Sequence, residues 1–161
     1  VSPAGRKMTP RRIGEVQIKG PTVVSGYYKN PRATRERIKN KWLATGDYGY
    51  CDEQGYLYLT GRTDDVMNIG GNKVYPYEIE GVLKQHPRVA DAAVVAVRDP
   101  WLGSAPRAVV VAKCPYDENA LREKLKKLCR ARLEPFKVPK IIEFSAGLPR
   151  TASGKLQKRL L

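Results

Sequence analysis

Apolar and polar positions along this chain follow two different periods, and the switches between them outline the elements. Over residues 14–19, Val16 and Ile18 fall on one side, the period-two pattern of a half-buried strand. Val23 and Val24 carry the β-like character on towards Gly26-Tyr27-Tyr28. Asn30-Pro31 has the form of a helix start, and RATRERIKNK continues it as a short, very basic helix. Trp42 and Leu43 lead into Ala44-Thr45-Gly46-Asp47, and a hairpin follows, with strands at residues 48–51 and 56–60 around a turn at 52–55. In its second strand Tyr56 and Tyr58 share one face, Leu57 and Leu59 the other. The first thirteen residues, with Pro3, Gly5 and Pro10, have no period and read as an irregular basic lead-in.

A second set of elements begins after residues 62–65. Residues 66–69 and 73–75 predict a small β-ribbon around Gly70-Gly71. Residues 76–85 form an amphipathic helix with Ile79, Val82 and Leu83 inward, stopped by His86-Pro87. Residues 89–97 (VADAAVVAV) and 108–112 (AVVVA) are buried strands joined by the turn-rich DPWLGSAPR. Residues 119–133 place Leu121, Leu125 and Leu128 on one helical stripe, and residues 140–144 make a third strand. The tail is LPRTASGKLQKRLL, and no internal repeat or low-complexity segment occurs. The expected fold class is α+β: a small domain of roughly a hundred residues with a three-stranded sheet and flanking helices, preceded by a β-rich segment.

Composition narrows the partners. An apolar content of 42% suits a globular core. Thirty Lys plus Arg against sixteen Asp plus Glu give a net charge of +14, which calls for an anionic partner or simply a solvated basic surface. Cys51, Cys114 and Cys129 have neither a metal-ligand spacing nor a disulfide framework, so reduced thiols and a cytoplasmic setting are expected. No apolar run approaches the ~20 residues of a transmembrane segment, and the basic start lacks the apolar core of a signal peptide. His86, the single histidine, reads as a helix-end residue; there is no Ser-His-Asp set.

Residues 61–80, GRTDDVMNIGGNKVYPYEIE, concentrate the turn chemistry. Gly-Arg and a doubled Asp lead through a short strand to Gly-Gly, then to Pro76 at the head of a helix with Glu78 and Glu80 in its first turn. Proline fits there because its missing N–H would have no partner, and early carboxylates suit the helix dipole. This stretch resembles the signature loop of the adenylate-forming superfamily: acyl-CoA synthetases, luciferases and peptide-synthetase adenylation domains. Three more stretches resemble the family, in the family's order: Gly14-Glu15-Val16-Gln17-Ile18 with Gly26-Tyr27, Thr45-Gly46-Asp47, and residues 149–155. The family's phosphate loop and acyl pocket lie upstream of what is matched. The resemblance thus implies that residues 1–61 end the large N-terminal domain, 62–65 are a hinge, and 66–161 are the mobile C-terminal lid. Val1 in place of a Met, and Leu161 soon after the last motif, suggest an excised piece with any family tail absent or trimmed.

The resemblance also assigns residues, each with a plainer alternative. Asp47 would take both hydroxyls of the ATP or AMP ribose on its two oxygens, or be a turn aspartate. Arg62, a planar and permanently charged fork, would reach the nucleotide from the domain junction, or be a solvated hairpin-end charge. Asp64 matches the hinge about which the lid rotates, with Asp65 a turn residue beside it. Gly70 and Gly71, lacking Cβ, would let backbone line the pantetheine tunnel, or make an ordinary ribbon turn. Lys155 matches the catalytic lysine: a compact ammonium between an attacking carboxylate and the α-phosphate lowers their repulsion. It sits after Ser153-Gly154, a small segment able to enter a cleft; otherwise it is a tail lysine beside Lys158 and Arg159. A phosphate-loop reading fails, because Leu156 follows the lysine and the glycine spacing differs. Phe136, Lys137 and Lys140 in EPFKVPK would stack an adenine and hold phosphates of coenzyme A, or be a core ring and surface lysines.

Asn68 and Gly70 stand where peptide-synthetase domains often carry lysine and arginine, which favours a free-standing acyl-CoA ligase, with fatty acid metabolism the expected setting. The implied cofactors are ATP, coenzyme A and magnesium, the metal held mainly by ATP and the missing N-terminal domain. A carboxylic acid is the implied substrate, and by itself the segment is expected to be inactive or nearly so. Two other classes stay open: a basic nucleic-acid-binding module, which lacks any specific reader motif, and a non-catalytic lid-like partner domain.

Overall fold

Two separate sets of contacts organise the chain, one over Val1–Asp64 and one over Asp65–Leu161. The computed structural model describes residues 1–2 and 5–161; Pro3, in the irregular lead-in, lies outside the described residues. Among the described residues no helix is long and apolar enough to cross a membrane.

In the first unit, β1 (Gly14–Ile18) runs antiparallel to the long β3 (Trp42–Cys51), with a register shift between Glu15 and Gln17. Asn30 caps α1 (Pro31–Arg37) by accepting the Ala33 N–H at 3.0 Å, with proline in the first turn. The helix is shorter than the basic run suggests. Ile38 leaves it for β2 (Ile38–Lys39), and Asn40 and Lys41, with φ of 52° and 66°, turn the chain back so that Lys39 pairs with Trp42. Two positive φ values in succession suit a tight hairpin, and the β-branched Ile38 favours the strand. Val23 and Val24 form no strand: Val23 N–H donates to Gly20 O at 3.1 Å, so a turn interrupts the extended chain after Pro21. The hairpin of β3 with β4 (Leu57–Arg62) forms, and Tyr50 stacks on Tyr58 with centroids 5.1 Å apart.

The second unit is α+β. A ribbon of β5 (Met67–Ile69) and β6 (Asn72–Val74) precedes α2 (Pro76–Lys84). The three-stranded sheet has the order β7 (Val89–Asp99), β8 (Gly103–Ala112), β9 (Ile141–Phe144), with β9 parallel to β8 across α3 (Glu118–Arg132). Strands β7 and β8 run through most of the DPWLGSAPR stretch, leaving only a tight hairpin tip. Pro106 is tolerated inside β8 for a geometric reason. Its carbonyl takes the Lys140 N–H at 3.0 Å on the β9 side, and β9 pairs only from Ile141 opposite Arg107, so the missing proline N–H deprives no strand of a partner.

Ala92 and Val94 of β7, Ala108 and Val110 of β8, and Ile142 of β9 share one sheet face by their register. Ile79 and Leu83 of α2, Leu121, Leu125 and Cys129 of α3, and Ile69 and Val74 of the ribbon close on that face as one buried core. Leu128, expected on the inward stripe, packs at the margin while Cys129 takes the fully buried place. Burial pushes the Cys129 thiol up to about 11, which keeps it protonated and unreactive.

Candidate functional site

In the first unit, Asp47 and Arg62 are direct cross-strand partners of β3 and β4, and Arg62 Nη1 donates to Asp47 Oδ1 at 3.0 Å. The register brings them together because a β-bulge after Tyr48 shifts the pairing by one residue. Gly46, at φ 77°, sets the approach: a Cβ there would stand 2.8 Å from Arg37 Nη1 and 3.3 Å from Arg62 Nη2. Thr45 locks the same corner, its hydroxyl donating to Val16 O at 2.9 Å and accepting the Asp47 N–H at 3.1 Å. A carboxylate and a guanidinium are thereby held side by side, both partly open to solvent. A ribose diol would share the carboxylate with Arg62. Asp64 lies exposed in the short 3₁₀ turn Thr63–Asp65, at the end of the first unit.

In the second unit, Lys155 sits on a closed turn. Thr151 N–H donates to Lys155 O at 2.8 Å, Gly154 N–H donates to Thr151 O at 2.8 Å, and Lys155 N–H donates to Thr151 Oγ1 at 3.1 Å. The side chain is exposed, and no carboxylate among the described residues pairs with its ammonium. Sequence reasoning expected a small segment able to enter a cleft, and these hydrogen bonds give it the form of a closed turn. Arg150, which that reasoning left out, donates from Nη1 to Gly154 O at 2.8 Å and from Nη2 to Asp91 Oδ2 at 2.6 Å. Burial raises the Asp91 carboxyl, but hydrogen bonds from Lys84, Arg150 and the Ala92 N–H outweigh it and hold the group below the usual carboxylate range. A lone acid in the apolar run VADAAVVAV was the available signal.

Gly70 and Gly71 form the two-residue turn of the ribbon, at φ 56° and 84°, a conformation that L side chains resist. The Gly70 N–H donates to Leu102 O at 3.1 Å, and Ser104 Oγ hydrogen-bonds Asn68 O, so the turn is seated on the β7–β8 tip. Asp99 builds that tip by accepting the Trp101 and Leu102 N–H groups, and it pairs with Lys140. Lys137 is similarly engaged, 2.6 Å from Glu78 and 3.0 Å from Glu134. Burial lowers its affinity for the proton, yet the two carboxylates prevail and raise it above the ordinary lysine value. Phe136 packs against the core margin with Lys137 over its ring at 5.9 Å. Each cation that the sequence offers to phosphates at this place thus begins from an internal carboxylate partner. An open cavity of about 570 Å³ lies beside them, lined by Lys126, Arg130, Val138 and Lys140.

Residues 78–155 match the AMP-binding enzyme C-terminal domain. The chain is 43% identical over 157 residues to the 2-succinylbenzoate–CoA ligase of Bacillus licheniformis, covering 98% of this chain and 32% of that protein. Among solved structures it is similar to the amide bond synthetase McbA of Marinactinospora thermotolerans, with TM-score 0.92, 37% identity, and coverage of 99% of this chain and 32% of that one. It is also similar to the o-succinylbenzoate CoA synthetase of Bacillus subtilis in complex with its acyl-adenylate intermediate, at TM-score 0.87, 36% identity and the same coverages. Residues 78–155 carry the match to that C-terminal domain, and the likeness to 2-succinylbenzoate–CoA ligases extends over 98% of the chain. The chain spans about a third of the length of the curated relatives it matches. The relative named for its acid carries 2-succinylbenzoate, so the fatty-acid setting gains no support, and neither a nucleic-acid module nor a non-catalytic partner domain is favoured.

Proposed function

We propose that this chain is the C-terminal portion of an AMP-forming acid–CoA ligase. The acid's carboxylate attacks the α-phosphate of ATP, forming an acyl-adenylate and releasing pyrophosphate. The thiol of coenzyme A then attacks the acyl carbonyl, and AMP departs. Asp47 and Arg62 serve the nucleotide ribose and its neighbouring oxygens. Lys155 places positive charge between two anions that must meet, where a fixed ammonium stabilises the developing charge without solvent reorganisation. Residues 62–65 act as the hinge, with Asp64 absorbing the rotation between the two steps, and the Gly70-Gly71 turn then lines the path of the thiol arm. For the coenzyme A nucleotide, Phe136 offers a ring, and Lys137 and Lys140 offer charge after exchanging their internal carboxylates for phosphate. Magnesium, in this reading, is held by the ATP phosphates and the rest of the parent enzyme.

One observation carries the reading: Lys155 stands exposed on a hydrogen-bonded turn without a carboxylate partner among the described residues, while Lys137, Lys140 and Lys158 are all paired. The reaction is tested with the parent enzyme, ATP, 2-succinylbenzoate and coenzyme A. AMP, pyrophosphate and a thioester are expected in equal amounts; formation of ADP and phosphate would overturn the proposal. The likeness to an amide bond synthetase supports a second reading of the acceptor alone, in which an amine replaces the thiol. Amide formation from the same adenylate, with coenzyme A inert, would select it.

A further inference from the structure

The segment carrying Lys155 is clasped to the body of the second unit on both sides. Upstream, Arg150 binds the Asp91 carboxylate of β7 at 2.6 Å and the Gly154 carbonyl at 2.8 Å with its two terminal nitrogens. Asp91 is itself fixed, by Lys84 of α2 at 2.8 Å and by the Ala92 N–H at 2.9 Å. Downstream, Lys158 reaches Glu80 Oε1 at 2.7 Å, and that oxygen also accepts the Val94 N–H at 2.9 Å. Both anchors therefore end on α2 and β7, with Lys155 between them.

We infer that Arg150 is a positioning residue, which acts through Asp91 to fix the peptide immediately before Lys155 and so to aim its ammonium. The inference rests on the reading of Lys155 given above. A lysine side chain with no partner has four free torsions, so the protein can restrict its reach only through the backbone that bears it. That backbone is restrained at three consecutive polar groups: the Gly154 carbonyl by Arg150, and the Lys155 N–H and C=O by Thr151. Of these restraints, only the one from Arg150 connects the turn to the sheet. The planar fork makes the connection with two separate nitrogens, whereas a lysine at position 150 would have to serve both acceptors from one.

The test uses the full-length parent enzyme with Arg150→Met, Arg150→Lys, Asp91→Asn and Lys155→Ala. Adenylation is followed by ATP–pyrophosphate exchange, and thioester formation is followed separately from preformed acyl-adenylate and coenzyme A. Because a misplacement of about 1 Å can cost on the order of a hundredfold in rate, Arg150→Met and Asp91→Asn should lower the adenylation kcat roughly 10- to 100-fold. KM for ATP and the thioester step should stay near wild type. Arg150→Lys, which keeps the charge and can keep part of the clasp, should show the same split with a smaller loss and an unchanged unfolding midpoint. Wild-type adenylation in the Arg150 and Asp91 variants, with Lys155→Ala inactive, would overturn this inference alone. Equal losses in both half-reactions would also overturn it, by reducing the clasp to a fold element. Wild-type adenylation in Lys155→Ala would instead remove the reading on which it rests.

Discussion

Lys137, Lys140 and Lys158 each close on a carboxylate of their own unit, and that separates them from Lys155. The distinction was not legible in a sequence with thirty basic residues. The motif around residues 149–155 points to Lys155, but Arg150 and Asp91 are 59 positions apart, and nothing local announces their contact. His86 shows what can be argued for a single group. Its Nδ1 accepts the Arg88 N–H at 3.2 Å, which requires an unprotonated nitrogen. Burial, then the charges of Lys124 and Arg88, hold its pKa below the usual value. The folded state thus binds fewer protons than the unfolded one, so stability is complete above about pH 6.5 and declines as the pH falls towards the depressed folded value. His86→Gln should flatten the fall in the unfolding midpoint between about pH 7 and pH 5. An unchanged slope would mean that other groups cause it.

At the scale of elements, the ribbon turn of Gly70 and Gly71 joins local conformation to the proposed second step. Both residues have positive φ, and an L side chain in that region costs roughly 1–2 kcal/mol. A Cβ on Gly70 would also rest 3.4 Å from the Leu102 side chain, whereas Gly71 faces open space. Gly71→Val should therefore lower the unfolding midpoint through backbone strain alone, and slow thioester formation more than adenylation if this turn lines the thiol's path. Equal effects on both half-reactions would count against that role. The ribbon was legible because Gly-Gly between two short apolar runs leaves few other choices. The end of α1 was not. Asn40-Lys41 lacks the glycine of a typical two-residue hairpin turn, so the basic run reads as continuing helix where the chain in fact doubles back. The β7–β8 tip was read too long for the opposite reason: Pro106 and Gly103 look like loop residues until the side of β8 that Pro106 faces is known.

For the whole molecule, the net charge of +14 suits the proposed reaction, in which ATP, adenylate, pyrophosphate and coenzyme A are all anions. The α+β class and the three-stranded sheet were legible from strand and helix periods. The resemblance was legible from four short motifs in order, and the likeness extends over 98% of this chain against relatives three times its length. The division into Val1–Asp64 and Asp65–Leu161 follows the packing, since residues 67–142 supply a buried core of their own. The choice of acid was not legible, because the motifs present are those that the proposed function assigns to the nucleotide, the thiol path and the attacking step. The most direct measurement is carboxylate-dependent pyrophosphate release by the full-length parent enzyme carrying Lys155→Ala, alongside thioester formation from preformed adenylate. The account predicts that pyrophosphate release falls by on the order of 10²–10³, the cost of losing one preorganised charge-stabilising group, while the thioester step persists. Undiminished pyrophosphate release would contradict it.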